Sequence, residues 1–329
     1  MPTANQIKSL LRSHSTGDDE QFYAVALQVA AAEARRGHQK LATEIRDLVR
    51  DTRKRIDSSE AVGNVVALAR PTGEAADILE GVPTHLKTTD LVLEPSLRER
   101  IDRILREQKN LSRIKENNLR PRQRLLFTGP PGCGKTITAS ALANELGLPL
   151  FVVRLDSLLS RFLGESLTKL RLVFEAAETT RAVYLFDEFD SIGFTRNAPN
   201  DVGEMRRVLN AFLVFIERLR SNSMIIAATN YGERLDKALF RRFDDLVEFG
   251  LPASEQVRET IKRLLHNVGT ERLSWRRVEQ AAEGLSYAEI TRACEEAIKD
   301  VLIHDLPKIT NQALIKALAE RRVYAYANH

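Results

Sequence analysis

Eight residues constrain this chain more than any other stretch: Gly129, Pro130, Pro131, Gly132, Cys133, Gly134, Lys135 and Thr136. They follow the apolar run Leu125-Leu126-Phe127 and precede an alanine-rich stretch, Ala139 to Leu146, that reads as a helix. Strand, glycine-rich loop and helix start come in that order, at the spacing G-x-x-x-x-G-K-[ST] of a phosphate-binding loop. Glycines let such a backbone turn so that its N–H groups face inward on phosphate oxygens. The helix start adds a partial positive charge at the same point. The pattern assigns the β- and γ-phosphates of a nucleoside triphosphate such as ATP to Lys135, and Mg²⁺ to the Thr136 hydroxyl. The readable strand and helix on either side set the stretch apart from an ordinary tight turn.

From Leu125 onward strand and helix signals alternate. Phe151–Leu155, Val183–Phe186, Met224–Ala228 and Leu246–Phe249 are short apolar runs. Leu167–Glu178 and Met205–Leu219 between them carry helical periodicity. This predicts an α/β fold with a parallel, five-stranded sheet covered on both faces, and ligands at the carboxyl ends of the strands. The loop around Gly132, the pair Asp187-Glu188 and Asn230 all fall at those ends. After Pro252 only helix signals remain: Glu255–His266, Trp275–Glu283, Tyr287–Ile303 and Asn311–Arg321. The expected division is a nucleotide-binding domain over 88–252 and a small all-helical domain with a tail over 253–329.

Asp187 ends an apolar strand facing the loop, where its carboxylate is placed to hold Mg²⁺. Glu188 is placed to polarise a water for in-line attack on the γ-phosphate. Asn230 ends the next strand and offers a neutral polar group to orient that water, although Asn also commonly closes strands as a turn residue. Arg241 and Arg242 form a basic pair. From their residue type they fit an exposed surface or, supplied to a neighbouring site, the charge of phosphoryl transfer.

Residues 1–57 read as a helical N-terminal bundle, with Ile7, Leu10 and Leu11 on one face and Phe22, Val25, Ala26 and Val29 on another. It fits an accessory cap or an adaptor for a partner or substrate equally well. Residues 58–87, broken by Gly63, Pro71, Gly73, Gly81 and Pro83, read as a linker with a short helix near 74–79. Pro95–Gln108 follows as an amphipathic helix.

The charge balance, 49 basic against 45 acidic residues for a net +4, is too even to point to nucleic acid. Cys133 and Cys294 have no metal-ligand spacing, which fits a reducing compartment. No apolar run reaches the length of a membrane span. The polar N-terminus lacks the apolar core of a signal peptide, and a cytoplasmic location is expected.

Taken together these stretches resemble the AAA ATPases of the classical clade, over about residues 90–305. The matching segments are Gly129–Thr136 (Walker A), Val183–Glu188 (Walker B), Ala227–Asn230 (sensor 1), Asp236–Asp244 (arginine-finger segment) and Gly284–Glu289 (sensor 2 region). The resemblance implies an AAA+ P-loop fold with a C-terminal helical lid over 253–329, and nucleotide at a subunit interface in a ring, usually a hexamer, with Arg241 and Arg242 acting on the neighbour's ATP. It places Ala288 near the adenine. The lid segment of this clade reads Gly-x-Ser-Gly-Ala-Asp; here Tyr287 replaces the second glycine and Glu289 the aspartate. Arg161 to Ser166 resembles the aromatic-x-Gly-Glu pore loop of AAA unfoldases, so in a pore loop of Phe162, Leu163 and Gly164 the Phe162 ring would grip a protein substrate and Gly164 would let the loop bend. Residues 5–50 joined to one such module are similar to small bacterial ATPases that occur with subtilisin-like serine proteases, some tied to phage defence. The expected activity is Mg²⁺-dependent ATP hydrolysis coupled to protein remodelling. The alternatives are a nucleic-acid-handling AAA+ ATPase and a nucleotide-gated scaffold.

Overall fold

The computed structural model describes residues 30, 43, 73–158, 165–193, 201–232 and 237–327. Contacts divide the chain into two compact units, 1–64 and 65–329. The N-terminal bundle expected over 1–57 and the pore-loop residues Phe162, Leu163 and Gly164 lie outside the described residues.

Six strands form one sheet: β1 Leu79–Val82, β2 Arg124–Thr128, β3 Leu150–Val153, β4 Val183–Phe186, β5 Met224–Thr229 and β6 Asp245–Glu248. Their order is β1-β3-β4-β5-β2-β6. β2 lies parallel between β5 and β6, and β4 lies parallel between β3 and β5. The sheet thus has one strand more than the expected five. The extra strand comes from the segment read as linker: β1 runs antiparallel along the edge of β3, pairing Leu79 with Val153 and Val82 with Leu150. A 3₁₀ turn over Gly73–Asp77 leads into it. Ile78 and Leu79 are buried, which anchors this edge to the core.

Helices α1 Pro95–Lys109, α2 Lys135–Leu146, α3 Glu165–Thr179 and α4 Asp201–Arg218 cover the sheet. Successive strand residues point to opposite faces, and each face builds its own core. Leu125, Phe127, Leu185 and Ile226 pack with Ile101 and Ile104 of α1 and Leu142 of α2. Leu126, Tyr184, Phe186 and Ile225 pack with Phe174 of α3 and Phe212 of α4. All six residues of β5 are buried, as a central strand covered on both faces requires. Each large apolar side chain buried this way contributes roughly 1.5–3 kcal/mol.

A C-terminal helical part follows as α5 Ser254–Leu265, α6 Trp275–Ala282, α7 Tyr287–Ile303 and α8 Asn311–Ala327. Its own core holds Val257, Ile261, Val278, Ile290, Ala293 and Leu314. Arg263 of α5 ties it back to the segment before α1, donating to the carbonyls of Thr89 and Asp90 at 3.1 and 2.9 Å. Among the described residues no helix is long and apolar enough to cross a membrane.

Candidate functional site

The parallel order of β4, β5 and β2 brings their carboxyl ends to one edge, and the loop Gly129–Gly134 rises from the middle of it to open α2. Gly129 has φ 142°, and a Cβ there would stand 2.0 Å from the Phe249 carbonyl oxygen beyond β6, so only glycine fits. Gly132, at φ 74°, faces the lid instead: a Cβ would lie 2.6 Å from Ser286 Oγ and 2.8 Å from Ala288 Cβ.

Lys135, the first residue of α2, is buried, with 7% of its surface exposed. Its ammonium donates to the carbonyls of Gly129 (2.8 Å) and Pro130 (2.9 Å) and to Asn230 Oδ1 (2.8 Å). That occupies all three ammonium donors, so a phosphate entering the loop takes over from one of these acceptors. Burial lowers the Lys135 pKa from the ordinary lysine range, while nearby Cys133, Asp187 and Asp190 partly offset the shift. Thr136 Oγ1 donates to Asp187 Oδ2 at 2.6 Å. Lys135, Thr136, Asp187 and Asn230 therefore stand together, drawn from the starts and ends of three elements.

Glu188 sits in the turn after β4, with φ 49°. A non-glycine residue in this left-handed region costs about 1–3 kcal/mol and persists where its surroundings enforce it. The turn is held by Phe189 N–H donating to the Ala228 carbonyl (2.8 Å) and by Ser191 N–H donating to Glu188 O (2.8 Å). The Glu188 carboxylate is exposed and makes no side-chain hydrogen bond among the described residues. Beside the loop opens a cavity of about 630 Å³, lined by Thr128, Gly129, Pro130, Asn230, Phe240 and Glu248 among others.

The C-terminal helical part reaches the loop through the start of α7. Ala288 N–H donates to the Gly132 carbonyl at 3.1 Å, and Ser286 caps the helix by accepting from Glu289 N–H. Tyr287, between them, is neutral across the physiological range; burial, with Cys133 and Glu94 adding to it, pushes its phenol up to about 12. Cys133 is buried beside Lys135, and desolvation raises its thiol pKa.

Arg241 and Arg242 follow a short helical turn, Lys237–Phe240. Arg242 pairs with Glu217 of α4 at 2.7 Å. Arg241 is exposed and makes no ion pair among the described residues. The segment is anchored from behind by Asp244, whose Oδ2 accepts the N–H groups of Gln123 and Arg124 at 2.9 Å each.

Asp190 escaped the sequence reading, and Ser286 entered it only as part of the segment Gly284–Glu289, with no role of its own. Asp190 accepts from Thr229 Oγ1 at 3.1 Å and from Asn230 N–H at 3.4 Å. Ser286 closes on Gly132. An Asp three residues after Asp187 and a Ser before a helix read as ordinary helix-start residues, and no spacing rule separates them from caps.

The chain matches the family model of the ATPase family associated with various cellular activities (AAA) over residues 125–251. It is 36% identical over 321 residues to an uncharacterized AAA family ATPase, y4kL, of Sinorhizobium fredii, a match spanning 97% of this chain and 96% of that protein. It is 32% identical over 227 residues to the ATP-dependent zinc metalloprotease FtsH of Mycoplasmopsis synoviae, covering 66% of this chain but only 34% of FtsH. A crystal structure of the FIGL-1 AAA domain in complex with ADP superposes with a TM-score of 0.60 at 23% identity, over 76% of this chain and 91% of that one, which speaks for the fold. With a near full-length relative, the family model and the fold in agreement, the chain belongs to the AAA family of ATPases.

Proposed function

We propose that this protein hydrolyses ATP in a Mg²⁺-dependent reaction, as a ring of subunits, and uses the energy to remodel or unfold protein. The observation that carries the reading is the meeting of Lys135 with Asn230 and of Thr136 with Asp187 at the N-terminus of α2. In this reading Gly129 to Gly134 wrap the phosphates with backbone N–H groups, and Lys135 binds the β- and γ-phosphates. The oxygens of Thr136 and Asp187 are the hard donors Mg²⁺ takes, so the pair fits that ion. Bound there, Mg²⁺ would offset the negative charge of the β- and γ-phosphates.

Glu188 accepts a proton from the attacking water, and its exposed, uncommitted carboxylate supports that role. Asn230 orients the water through the amide nitrogen that Lys135 leaves unused. Ala288, hydrogen-bonded to Gly132, links lid position to nucleotide occupancy. Arg241 and Arg242 act on the site of the next subunit, the usual hexamer being the expected ring.

The finer purpose rests on likeness. FtsH is by its name a protease driven by ATP, and it shares this module. The 329 residues here contain no His-Glu-x-x-His zinc site. For a proteolytic partner the resemblance of residues 5–50 nominates a subtilisin-like serine protease, in phage defence. The remodelling role is tested with Phe162→Ala. ATP hydrolysis should stay within about threefold of wild type, while unfolding of a tagged protein collapses as the aromatic grip is lost. A Phe162→Ala protein that still unfolds substrate at the wild-type rate removes the pore-loop assignment.

A further inference from the structure

Asp190 is the acidic residue of the motif turn to which the proposed reaction gives no work. It opens a single helical turn, Asp190–Gly193, directly after Glu188 and Phe189. Its Oδ1 receives two donors from the end of β5, the Thr229 hydroxyl at 3.1 Å and the Asn230 N–H at 3.4 Å. Thr229 is itself buried, and its oxygen accepts the Tyr231 N–H at 3.1 Å. The Phe189 N–H bonded to Ala228 adds a backbone link one residue away. The turn that carries Glu188 and the strand end that carries Asn230 are therefore fastened to each other, and Asp190 supplies both side-chain links.

We propose that Asp190 is a positioning residue for ATP hydrolysis: it fixes Asn230 relative to Glu188, so that the group orienting the water and the group activating it keep one spacing. The inference rests on the hydrolytic reading of those two residues. A carboxylate suits the task because two donors converge on one of its oxygens and it brings no donor of its own to compete. The opposite side of Asn230 holds Lys135 at 2.8 Å, so a shift of this strand end moves the lysine contact too. Misplacement of a reacting group by about 1 Å is enough to cost on the order of a hundredfold in rate.

Asp190 also lies close enough to Lys135 for its charge to act there. The two roles separate on substitution. D190N keeps an accepting oxygen and loses the charge; D190A loses both. Steady-state hydrolysis, ATP affinity from a fluorescent analogue and melting temperature are measured for wild type, D190N, D190A and T229V. Positioning predicts that D190A lowers kcat by about tenfold or more with ATP affinity within about threefold, and that D190N recovers to within about threefold of wild-type kcat. Wild-type kcat in D190A, or D190N as impaired as D190A, overturns the role. If D190A folds poorly, T229V decides. It keeps the carboxylate and removes the hydroxyl donor, and is expected to lower kcat by about threefold or more at unchanged affinity; unchanged kcat there overturns the role. A wild-type protein that binds ATP and never hydrolyses it overturns the hydrolytic reading as well, a result distinct from the others.

Discussion

Thr136 Oγ1 donates a 2.6 Å hydrogen bond to Asp187 Oδ2 across 51 residues of sequence, joining the first turn of α2 to the end of β4. Both oxygens are hard donors, and in the proposed reaction their contact would bring the two Mg²⁺ ligands together before nucleotide arrives. Thr136→Ala and Asp187→Asn should each raise the Mg²⁺ concentration needed for half-maximal hydrolysis, by about tenfold. A Mg²⁺ titration of hydrolysis reads this directly; unchanged midpoints would remove the pair from metal binding.

Gly132→Ala should uncouple the lid from the loop. The added methyl meets Ser286 Oγ at 2.6 Å and Ala288 Cβ at 2.8 Å, on a backbone with φ 74°. Strain of about 1–3 kcal/mol in the closed arrangement opens the Ala288–Gly132 contact. ATP affinity is expected to fall by about tenfold, with lid opening visible as faster amide exchange at Ala288. Wild-type affinity together with wild-type exchange would show that the contact is dispensable.

The two arginines should behave differently. Arg242 already has a partner in its own subunit, Glu217 at 2.7 Å, whereas Arg241 is exposed with no ion pair among the described residues. Arg241→Ala is therefore expected to lose hydrolysis by about 10³-fold in assembled rings and to keep ATP binding. Arg242→Ala should show the smaller loss. Mixing Arg241→Ala with Glu188→Gln subunits should restore part of the activity at mixed interfaces. Absence of rescue in rings that contain both would count against action in trans.

The motif edge was legible because its signals are chemical. A lysine and threonine at fixed spacing after glycines, two acids after an apolar strand and an asparagine after another point to the same place, and Lys135, Asp187 and Asn230 meet there. β1 was not legible. Its four residues, Leu79-Glu80-Gly81-Val82, are broken by glycine and followed by Pro83, and the backbone bonds that make them a strand belong to β3. The left-handed Glu188 is equally invisible in sequence, since the bonds around its turn enforce it rather than any preference of glutamate. Asp190 shares the same cause: its partners Thr229 and Asn230 lie about 40 residues away and arrive only through the sheet order.

Neither cysteine should react in the native protein. Both are free and buried; burial raises the Cys133 thiol and pushes Cys294 up to about 12. Raised pKa values leave the protonated thiol at neutral pH, and the thiolate is the reactive species. Iodoacetamide at pH 7.5 is expected to leave both unlabelled natively and to label both after denaturation, as read by intact mass. Rapid native labelling of Cys133 would mean the loop opens far more often than this packing allows.

In the proposed reaction Glu188 activates water at a site that binds ATP without it. Glu188→Gln keeps the shape of the turn and every phosphate-binding group, including Lys135 with its three acceptors. The decisive measurement is single-turnover hydrolysis by Glu188→Gln alongside equilibrium ATP binding. ATP affinity is expected within about threefold of wild type and hydrolysis slowed by about 10²-fold or more, with bound ATP recovered intact. Hydrolysis at the wild-type rate by that variant would contradict this role of Glu188.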